Sequence, residues 1–384
     1  MTTDYPFGPF PGAREIGPLE VQQVSSVVQQ RSPYRLYGLN PQYACLRLEK
    51  AIAARLSADR SVVALSSGTA ALHTALYAMG VTRESEVILP AYGWVSDLMA
   101  VLALGATPVI APVDDTLGLR TDTLRDIISP KTRAVVAIHM RGQPCNVVDI
   151  LAELSPRGIP VVEDCSQALG ATLDGAMVGS FGDAATFSFQ YNKLLTSGEG
   201  GAIALSDPLH LQRAKWFHDC GMLREYGDAD PMAERAISGF GLNYRMTELQ
   251  AAMLLPQFDR LDDLLARLEV SYQLALGMLE PLLASGAVSL RPSVPGGRGN
   301  GAFLGLVRSG DVTHAWLEDQ FIHLGLPVSW VGSKDPHHSD TWVSFMERES
   351  LPFRDCRDDL SLDVMATSYM LDLYAVARSE VEPN

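Results

Sequence analysis

The sequence predicts an α/β protein in which a mostly parallel β-sheet, flanked by helices on both faces, is followed by a smaller C-terminal α/β domain. Three observations support this fold class. Between about residues 60 and 206, short β-rich runs alternate with helical patterns, as parallel strands joined by helical crossovers require. The chain is then helical, until a segment rich in Pro and Gly, residues 292–303, precedes a last βα-like portion. We expect a large domain, with an N-terminal arm, over residues 1–260 and a small domain over 261–384.

The elements of the large domain follow from this alternation. Strands and helices are predicted in turn at VVAL, TAALHTALYAMG, EVILP, WVSDLMAVLALG, PVIAPVD, TDTLRDII, RAVVAIHM, NVVDILAEL and PVVED. Two further strands, AATFSFQ and GGAIALS, have no helix between them, which predicts that they are neighbours near an edge of the sheet. The segment that joins these two strands carries Lys193.

The part of the chain after Pro208 is predicted to be helical. Apolar residues recur at intervals of three and four over residues 246–283, and Pro256 predicts a break or kink within them. In the last portion, FLGLVRSG predicts a strand and VTHAWLEDQFIHLG predicts a helix.

The composition limits the partners of the protein. With 45 acidic and 30 basic residues, the net charge of −15 disfavours nucleic acid, because a phosphate backbone would be repelled. No apolar run approaches the roughly 20 residues of a membrane span. Because the first ten residues also lack the pattern of a signal peptide, we expect a cytoplasmic protein without membrane contact.

Cysteine and histidine spacing gives no indication of a metal site. The 5 cysteines are scattered without a C-x-x-C pair, so we expect free thiols. His337 and His338, beside Asp340, are adjacent and therefore point apart on an extended chain. We interpret them as part of a polar surface loop.

Lys193 lies between strands of core character, although a lysine is rarely buried without a partner. Desolvation favours the neutral amine, which can attack a carbonyl. Lys193 is therefore a candidate Schiff-base residue, and pyridoxal phosphate is the cofactor best known for such lysines. That cofactor needs an acid at its ring nitrogen. Our candidate is Asp164 at the carboxyl end of a predicted parallel strand, where the adjacent Glu163 points to the opposite face.

Two further features agree with such a site, and each also has a simpler interpretation. Residues 66–69, SSGT, stand directly before an apolar-periodic helix, where N–H groups and hydroxyls either bind a phosphate or only cap the helix. Trp94 follows the strand EVILP at the start of the next helix, where it either lies over a flat ring or packs in the core.

Five motifs, taken in their order along the chain, resemble those of the DegT/StrS-type aminotransferases, which are fold-type-I enzymes that use pyridoxal phosphate. The motifs are SSGTAAL, LPAYGWVS, VEDCSQALGA, VGSFGDAATFSFQYNKLLTSGEGGAI and GLNYRMTELQAAM, within about residues 34–256. The resemblance implies that Lys193 binds the aldehyde of the cofactor, Asp164 its ring nitrogen and Trp94 one face of its ring. It also implies that Gly68, Thr69 and Ser188 hold the phosphate. Gln167 would pack beside the ring, near its 3-hydroxyl.

The resemblance further implies a homodimer with shared active sites. In the motif GLNYR, Asn243 would reach the phosphate of the cofactor that the partner subunit binds. One departure is Gly93, where members of the family commonly have threonine. We expect this change to remove a hydroxyl and loosen the turn, while the contact of Trp94 with the ring survives.

By the same resemblance, the expected reaction moves an amino group from glutamate or glutamine to a ketosugar, with or without a linked nucleotide, or to a ketocyclitol. This chemistry belongs to aminosugar, aminocyclitol and antibiotic biosynthesis. The candidate substrate contacts come from two places in the sequence. His139 and Arg141 lie at the end of a predicted strand, and Tyr34, Arg35 and Tyr37 lie in the segment PYRLYG. One alternative is an enzyme of this fold with dehydration or elimination chemistry, which Lys193 argues against because such dehydratases generally have histidine at that position. The other alternative is a cofactor-binding regulator without turnover.

Overall fold

The computed structural model describes residues 11–227, 237–326, 328–333 and 336–373. Its strands are β1 (Ser61–Leu65), β2 (Glu86–Pro90), β3 (Thr107–Ala111), β4 (Thr132–Ile138), β5 (Val161–Asp164), β6 (Thr172–Leu173), β7 (Ala176–Met177), β8 (Ala184–Ser188), β9 (Gly201–Leu205), β10 (Val288–Leu290), β11 (Gly297–Arg298), β12 (Phe303–Arg308), β13 (Val328–Trp330), β14 (Arg354–Asp355) and β15 (Ser368–Asp372).

The helices connect and flank these strands. They are α1 (Pro11–Arg14), α2 (Pro18–Gln29), α3 (Ala44–Ala53), α4 (Gly68–Ala78), α5 (Val95–Ala103), α6 (Leu124–Ile127), α7 (Val147–Leu154), α8 (Pro208–His218), α9 (Glu248–Asp259), α10 (Leu261–Ala284), α11 (His314–His323), α12 (Ser339–Arg348) and α13 (Asp359–Ala366). Pro256 lies inside α9, and the helical segment is interrupted four residues later, at Arg260, between α9 and α10. None of the described helices has the length and apolar character of a membrane span.

An eight-stranded sheet forms the centre of the fold, in the order β1-β9-β8-β5-β4-β2-β3-β14. The strands from β8 to β14 in this order run parallel, and β9 runs antiparallel to both β8 and β1. The prediction of a mostly parallel sheet is therefore confirmed. The prediction that AATFSFQ and GGAIALS are neighbouring strands near an edge is also confirmed, because β9 pairs with β8 and stands next to the edge strand β1.

Alternate residues of the central strands point to opposite faces, and both faces are buried. In β2, Val87 and Leu89 pack with side chains of α4 and α5, whereas Ile88 between them packs with side chains of α7. The fold class is the one expected, with helices on both faces of the sheet. This arrangement leaves the carboxyl ends of the parallel strands together at one edge, where ligands bind in open α/β sheets.

The C-terminal part contains an antiparallel sheet in the order β10-β12-β15-β13, with its own core against α10 and α11. Two later elements return to the large sheet. β14 pairs with β3, and Trp342 and Met346 of α12 join the core beside α4 and α5. The division of the chain between residues 260 and 261 stays a prediction.

Candidate active site

A cleft of about 560 Å³ opens at the carboxyl ends of β5 and β8. Its walls come from the starts of α4 and α5, the loop between β8 and β9, and three segments of the C-terminal part. The lining residues that were already predicted from the sequence are Gly68, Thr69, Trp94, Arg141, Asp164, Gln167, Ser188 and Lys193.

The start of α4 forms one end of the cleft. Ser67 caps the helix by accepting a hydrogen bond from the Ala70 N–H (3.1 Å), and the exposed Thr69 follows it in the first turn. A β-carbon on Gly68 would lie 2.7 Å from Cβ of Ser188, so the glycine is what lets the end of β8 approach the helix. N–H groups at a helix start have no partner within the helix and favour an anion. Together with the hydroxyls of Thr69 and Ser188, they make this end suited to a phosphate.

The loop between β8 and β9 holds Lys193 by its backbone. The Lys193 N–H donates to the Gln190 carbonyl (2.9 Å), and its own carbonyl accepts from the Gly12 N–H (2.9 Å). Three residues later, the buried side chain of Gln257 bonds both the N–H and the carbonyl of Thr196 (3.0 and 2.9 Å). The Lys193 side chain is thereby anchored at the cleft while it remains half-buried.

The environment of the Lys193 amine favours its neutral form. Burial lowers the pKa of Lys193; the negative charge of Asp164 opposes this shift, and the positive charge of Arg141 adds to it. A lowered pKa increases the fraction of neutral amine at a given pH, and the neutral amine is the nucleophile.

Asp164 and Glu163 point to opposite faces of β5, as their alternation requires. Asp164 lines the cleft, and its Oδ1 accepts hydrogen bonds from the Ser166 N–H (2.9 Å) and the Thr186 hydroxyl (3.3 Å). Glu163 is fully buried and accepts from the N–H groups of the turn at residues 179–182. Only Asp164 is therefore available to a ligand in the cleft.

Trp94 presents an open ring to the cleft at the start of α5. Its exposed fraction is 39%, and its ring centroid lies 4.7 Å from that of His337. The segment that carries His337 is fixed to this turn, because the Gly93 N–H donates to the His337 carbonyl (3.1 Å). An exposed indole in a cleft offers a flat surface to a ring.

The expectation that Gly93 loosens the turn is wrong. A β-carbon at this position would lie 2.6 Å from Cδ1 of Ile138 and 3.1 Å from the Trp342 ring. The glycine makes room for α12 to pack against the start of α5, so the turn is tightly packed.

Gln167 and Arg141 also form part of the cleft wall. The Arg141 N–H donates to Oε1 of Gln167 (3.2 Å), and Nε2 of Gln167 lies 3.5 Å from Nε2 of His337. The Arg141 guanidinium lies over the Phe303 ring, 5.5 Å from its centroid, and donates to the Tyr92 hydroxyl (3.3 Å). Arg141 thus brings a positive charge to the cleft in a fixed orientation.

His139 does not reach the cleft, contrary to its prediction as a substrate contact. It is fully buried, with Nε2 3.0 Å from Oε2 of Glu163 and with Nδ1 accepting from the Cys145 N–H (3.0 Å). Both ring nitrogens are engaged in holding the ends of β4 and β5 to the following turns. His139 stands at the end of β4, two residues before Arg141. This position predicted the correct end of the strand, but the side chain does not point to the cleft.

Arg35 is also placed away from the cleft of its own chain. It is buried, forms an ion pair with Glu49, and donates to the Ala64 carbonyl (2.6 Å) and the Tyr226 hydroxyl (2.5 Å). These contacts make it a structural residue, which corrects its prediction as a substrate contact.

Tyr34, Tyr37 and Asn243 lie on a surface outside this cleft. The Tyr34 ring packs on that of Tyr37, with 4.8 Å between centroids, and is half-buried beneath Arg224 and Arg245. Asn243 is exposed and pairs with Asp219 through an isolated β-bridge. The roles expected for these three residues stay predictions, because none of them lines this cleft.

Several lining residues were not identified from the sequence: Asn300, Phe303, His337 and Asp372. The prediction that His337 and His338 belong to a polar surface loop is wrong. His337 lines the cleft, whereas His338 is buried and accepts the Asp340 N–H (3.1 Å) at the start of α12. The two side chains do point apart, but towards the cleft and the interior.

Comparison with known proteins agrees with this geometry. A family model described as the DegT/DnrJ/EryC1/StrS aminotransferase family matches residues 40–285, more than half of the chain. The chain belongs to this family. Among curated proteins, it is similar to the GDP-perosamine synthase of Caulobacter vibrioides, with 38% identity over 211 residues that make up 55% of each chain. The chain therefore spans about half the length of this relative in the match.

Two solved structures share the fold over nearly the whole chain. An aminotransferase from Psychrobacter cryohalolentis superposes with a TM-score of 0.81 and 25% identity, covering 97% of both chains. The E. coli GDP-4-keto-6-deoxy-D-mannose-3-dehydratase with bound hydrated PLP has a TM-score of 0.79 at 17% identity, covering 96% of this chain and 98% of that chain. The fold of this chain is therefore that of the family, including the C-terminal part, which lies beyond the five sequence motifs.

Proposed function

We propose that the chain is a pyridoxal phosphate-dependent aminotransferase that moves an amino group from glutamate or glutamine to a ketosugar. The observation that carries the proposal is the presence of Lys193 and Asp164 in one cleft, with the lysine pKa lowered by burial. Membership of the aminotransferase family makes this pair the natural candidate for the two ends of the cofactor ring.

The residues of the cleft fit pyridoxal phosphate. The start of α4 and the Ser188 hydroxyl suit the phosphate, in a cradle that a β-carbon on Gly68 would crowd. Trp94 offers an open face to the ring, and Asp164 offers a carboxylate to the ring nitrogen. The half-buried Lys193 offers an amine to the aldehyde, and Gln167 lies beside them.

Each of these residues then has a defined task. The bound cofactor supplies an aldehyde and an electron-withdrawing ring that makes a proton on the attached substrate carbon labile. Lys193 would provide the amine that binds the aldehyde and, as a free amine, would be the acid/base group that takes this proton from the substrate carbon and delivers it to C4′ of the cofactor. Asp164 would keep the ring nitrogen protonated through a charge-assisted hydrogen bond, and Trp94 would pack against one face of the ring.

We propose a nucleotide-linked ketosugar as the acceptor, with a ketocyclitol as the alternative. The support is the similarity to GDP-perosamine synthase, whose name denotes a nucleotide-linked amino sugar. The cleft walls agree with a polyhydroxylated acceptor, since the polar side chains of Arg141, Gln167, Asn192 and His337 line the same cleft as Lys193.

We also propose a homodimer in which each subunit completes the site of the other. Asn243 and Tyr34 lie outside the cleft of their own chain, on a surface where Ile237 and Phe240 have exposed fractions of 79% and 67%. Exposed apolar side chains of this size suit a subunit interface. In such a dimer, Asn243 would reach the phosphate bound by the partner subunit.

The test combines the cofactor spectrum with an amino donor. Wild type loaded with pyridoxal phosphate should show a visible absorption band that borohydride removes, that glutamate or glutamine bleaches, and that a keto acid restores. Lys193→Ala should lack the band, and Lys215→Ala, a change on the surface of α8, should keep it. A band that no amino donor bleaches would refute transamination. Conversion of a nucleotide-linked ketosugar, monitored by amine transfer, then distinguishes the two acceptors.

A further inference from the structure

Asp97 is a buried carboxyl group next to the proposed cofactor site, with no role in the function proposed above. It is the third residue of α5 and has no exposed surface, and its Oδ2 accepts the Trp94 N–H (3.2 Å). Its other oxygen, Oδ1, is buried without a hydrogen-bond donor among the described residues. The Asp97 carboxyl borders the same space beside Gly93 as the Ile138 side chain, and Ile138 is the strand partner of Asp164 in the pairing of β4 with β5, so the two carboxyls are neighbours. Two neighbouring carboxyl groups form a hydrogen bond with each other only if one of them carries a proton.

The surroundings of Asp97 oppose a negative charge. Oδ2 of Asp97, Ile138 and the Trp342 ring border the same small space beside Gly93, so the walls there are apolar. The charged groups that face Asp97 are Asp164, from the end of β5, and Lys193, from the loop after β8. Burial raises the pKa of Asp97 well above its ordinary range, and the charge of Asp164 raises it further. The Trp94 N–H and the Lys193 amine act in the opposite direction but do not outweigh these effects.

Asp164 is the better hydrogen-bond acceptor of the two carboxyls. The Ser166 N–H and the Thr186 hydroxyl both donate to its Oδ1, whereas Asp97 accepts only from the Trp94 N–H among the described residues. Asp164 also lines the cleft, whereas Asp97 is closed off from it by its burial. An unpaired buried carboxylate is costly, and protonating Asp97 removes that cost and gives Oδ1 a hydrogen bond to donate.

We propose that Asp97 is a neutral carboxylic acid that donates a hydrogen bond to Asp164 and so positions Asp164 to hold the ring nitrogen of pyridoxal phosphate. This inference rests on the proposed function. Asp97 is a positioning residue, because it acts through Asp164 and does not touch the cofactor. The pair then carries a single negative charge, which one protonated ring nitrogen balances.

Two substitutions test the hydrogen bonds of Asp97, because one of them reproduces both and the other removes both. In Asp97→Asn, the amide nitrogen donates to Asp164 and the amide oxygen accepts from the Trp94 N–H, so both contacts of the neutral acid are reproduced. Asp97→Ala loses both. The dissociation constant of pyridoxal phosphate can be measured by fluorescence titration of the cofactor-free proteins. We expect the value for Asp97→Asn to lie within about twofold of that for wild type, and the value for Asp97→Ala to be about tenfold higher.

The infrared spectrum tests the proton directly and needs no cofactor. At neutral pH, the difference spectrum of wild type minus Asp97→Asn should contain the C=O stretching band of a protonated carboxylic acid. A carboxylate at position 97 would instead give the carboxylate stretching bands, and this result would overturn the proposal. The measurement remains decisive if Asp97→Ala fails to fold, which circular dichroism and thermal unfolding would reveal.

The outcomes distinguish this inference from the proposed function. If wild type binds pyridoxal phosphate and reacts with an amino donor, but Asp97→Asn binds the cofactor as weakly as Asp97→Ala, only the role of Asp97 is refuted. Equal binding by all three proteins refutes it too. If wild type does not bind the cofactor, the proposed function and the positioning role are both refuted.

Discussion

Gly68 and Ser188 lie so close together that a β-carbon on the glycine would be 2.7 Å from Cβ of the serine and 3.0 Å from its hydroxyl oxygen. The first residue of α4 thereby meets the last residue of β8. A similar contact holds the neighbouring strand, since a β-carbon on Gly201 would lie 2.3 Å from the Ser67 carbonyl oxygen. The proposed phosphate site is formed by the direct packing of a helix start on two strand ends.

Gly68→Ala should weaken the binding of pyridoxal phosphate by about tenfold or more, because the added methyl group displaces Ser188 and removes a hydrogen-bonding group from the phosphate. The measurement is a cofactor titration of the purified variant. Gly277→Ala is the matched control: it lies in α10, and its β-carbon would meet no atom within 4 Å. The control should bind the cofactor as wild type does and unfold at a slightly higher temperature. Equal binding by Gly68→Ala and wild type would contradict the assignment of the phosphate site.

Arg35→Met should destabilise the protein by about 3 to 5 kcal/mol, because it leaves the carboxylate of Glu49 buried without its ion pair. Urea unfolding measures this loss. Arg55→Met, which breaks the exposed pair of Arg55 and Asp262, should cost less than about 1 kcal/mol. If Arg35→Met instead keeps wild-type stability and raises only KM for the acceptor, Arg35 is a substrate residue after all.

Gln257→Ala should destabilise the loop that carries Lys193. Its buried amide satisfies the N–H and the carbonyl of Thr196, and leaving such groups unpaired costs about 1 to 3 kcal/mol each. We expect a lower unfolding temperature together with faster amide hydrogen exchange in the loop between β8 and β9. Gln273→Ala, on the exposed side of α10, should change neither quantity. Unchanged exchange in Gln257→Ala would show that other contacts hold the loop.

The central sheet and the Lys193–Asp164 pair could be predicted from the sequence because their signals are local. Parallel strands that alternate with helices bring their carboxyl ends to one edge, so Asp164 at the end of a strand and Lys193 beside a strand were expected to meet there. Neighbouring side chains of a strand point to opposite faces of the sheet, so the sequence alone also predicted that Asp164 and Glu163 face opposite sides of β5.

The rest of the site depends on contacts between distant segments, which no local pattern encodes. His337 reaches Trp94 only because α12 packs against the large sheet, an arrangement made by Trp342 and by Gly93. Arg35 resembled a loop residue free to bind substrate, since nothing near it in sequence indicates that Glu49 stands beside it. Asp97 was not singled out in the sequence, because an acidic residue in the first turn of a helix is ordinary and only its burial beside Asp164 distinguishes it.

Lys193→Met should make the cofactor-free protein more stable at neutral pH, and this gain should shrink as the pH rises. Burial lowers the pKa of Lys193 in the folded state, so below that pKa folding must carry a charged amine into an unfavourable environment. As the pH rises through the folded pKa towards the unfolded value of about 10.4, the amine becomes neutral in the folded state first, and the cost disappears. Urea unfolding of both proteins between about pH 7 and about pH 10 measures the difference. A gap that is absent at neutral pH or widens with pH would mean that the charge of Asp164 outweighs desolvation, and that the amine is held charged rather than prepared to attack a carbonyl.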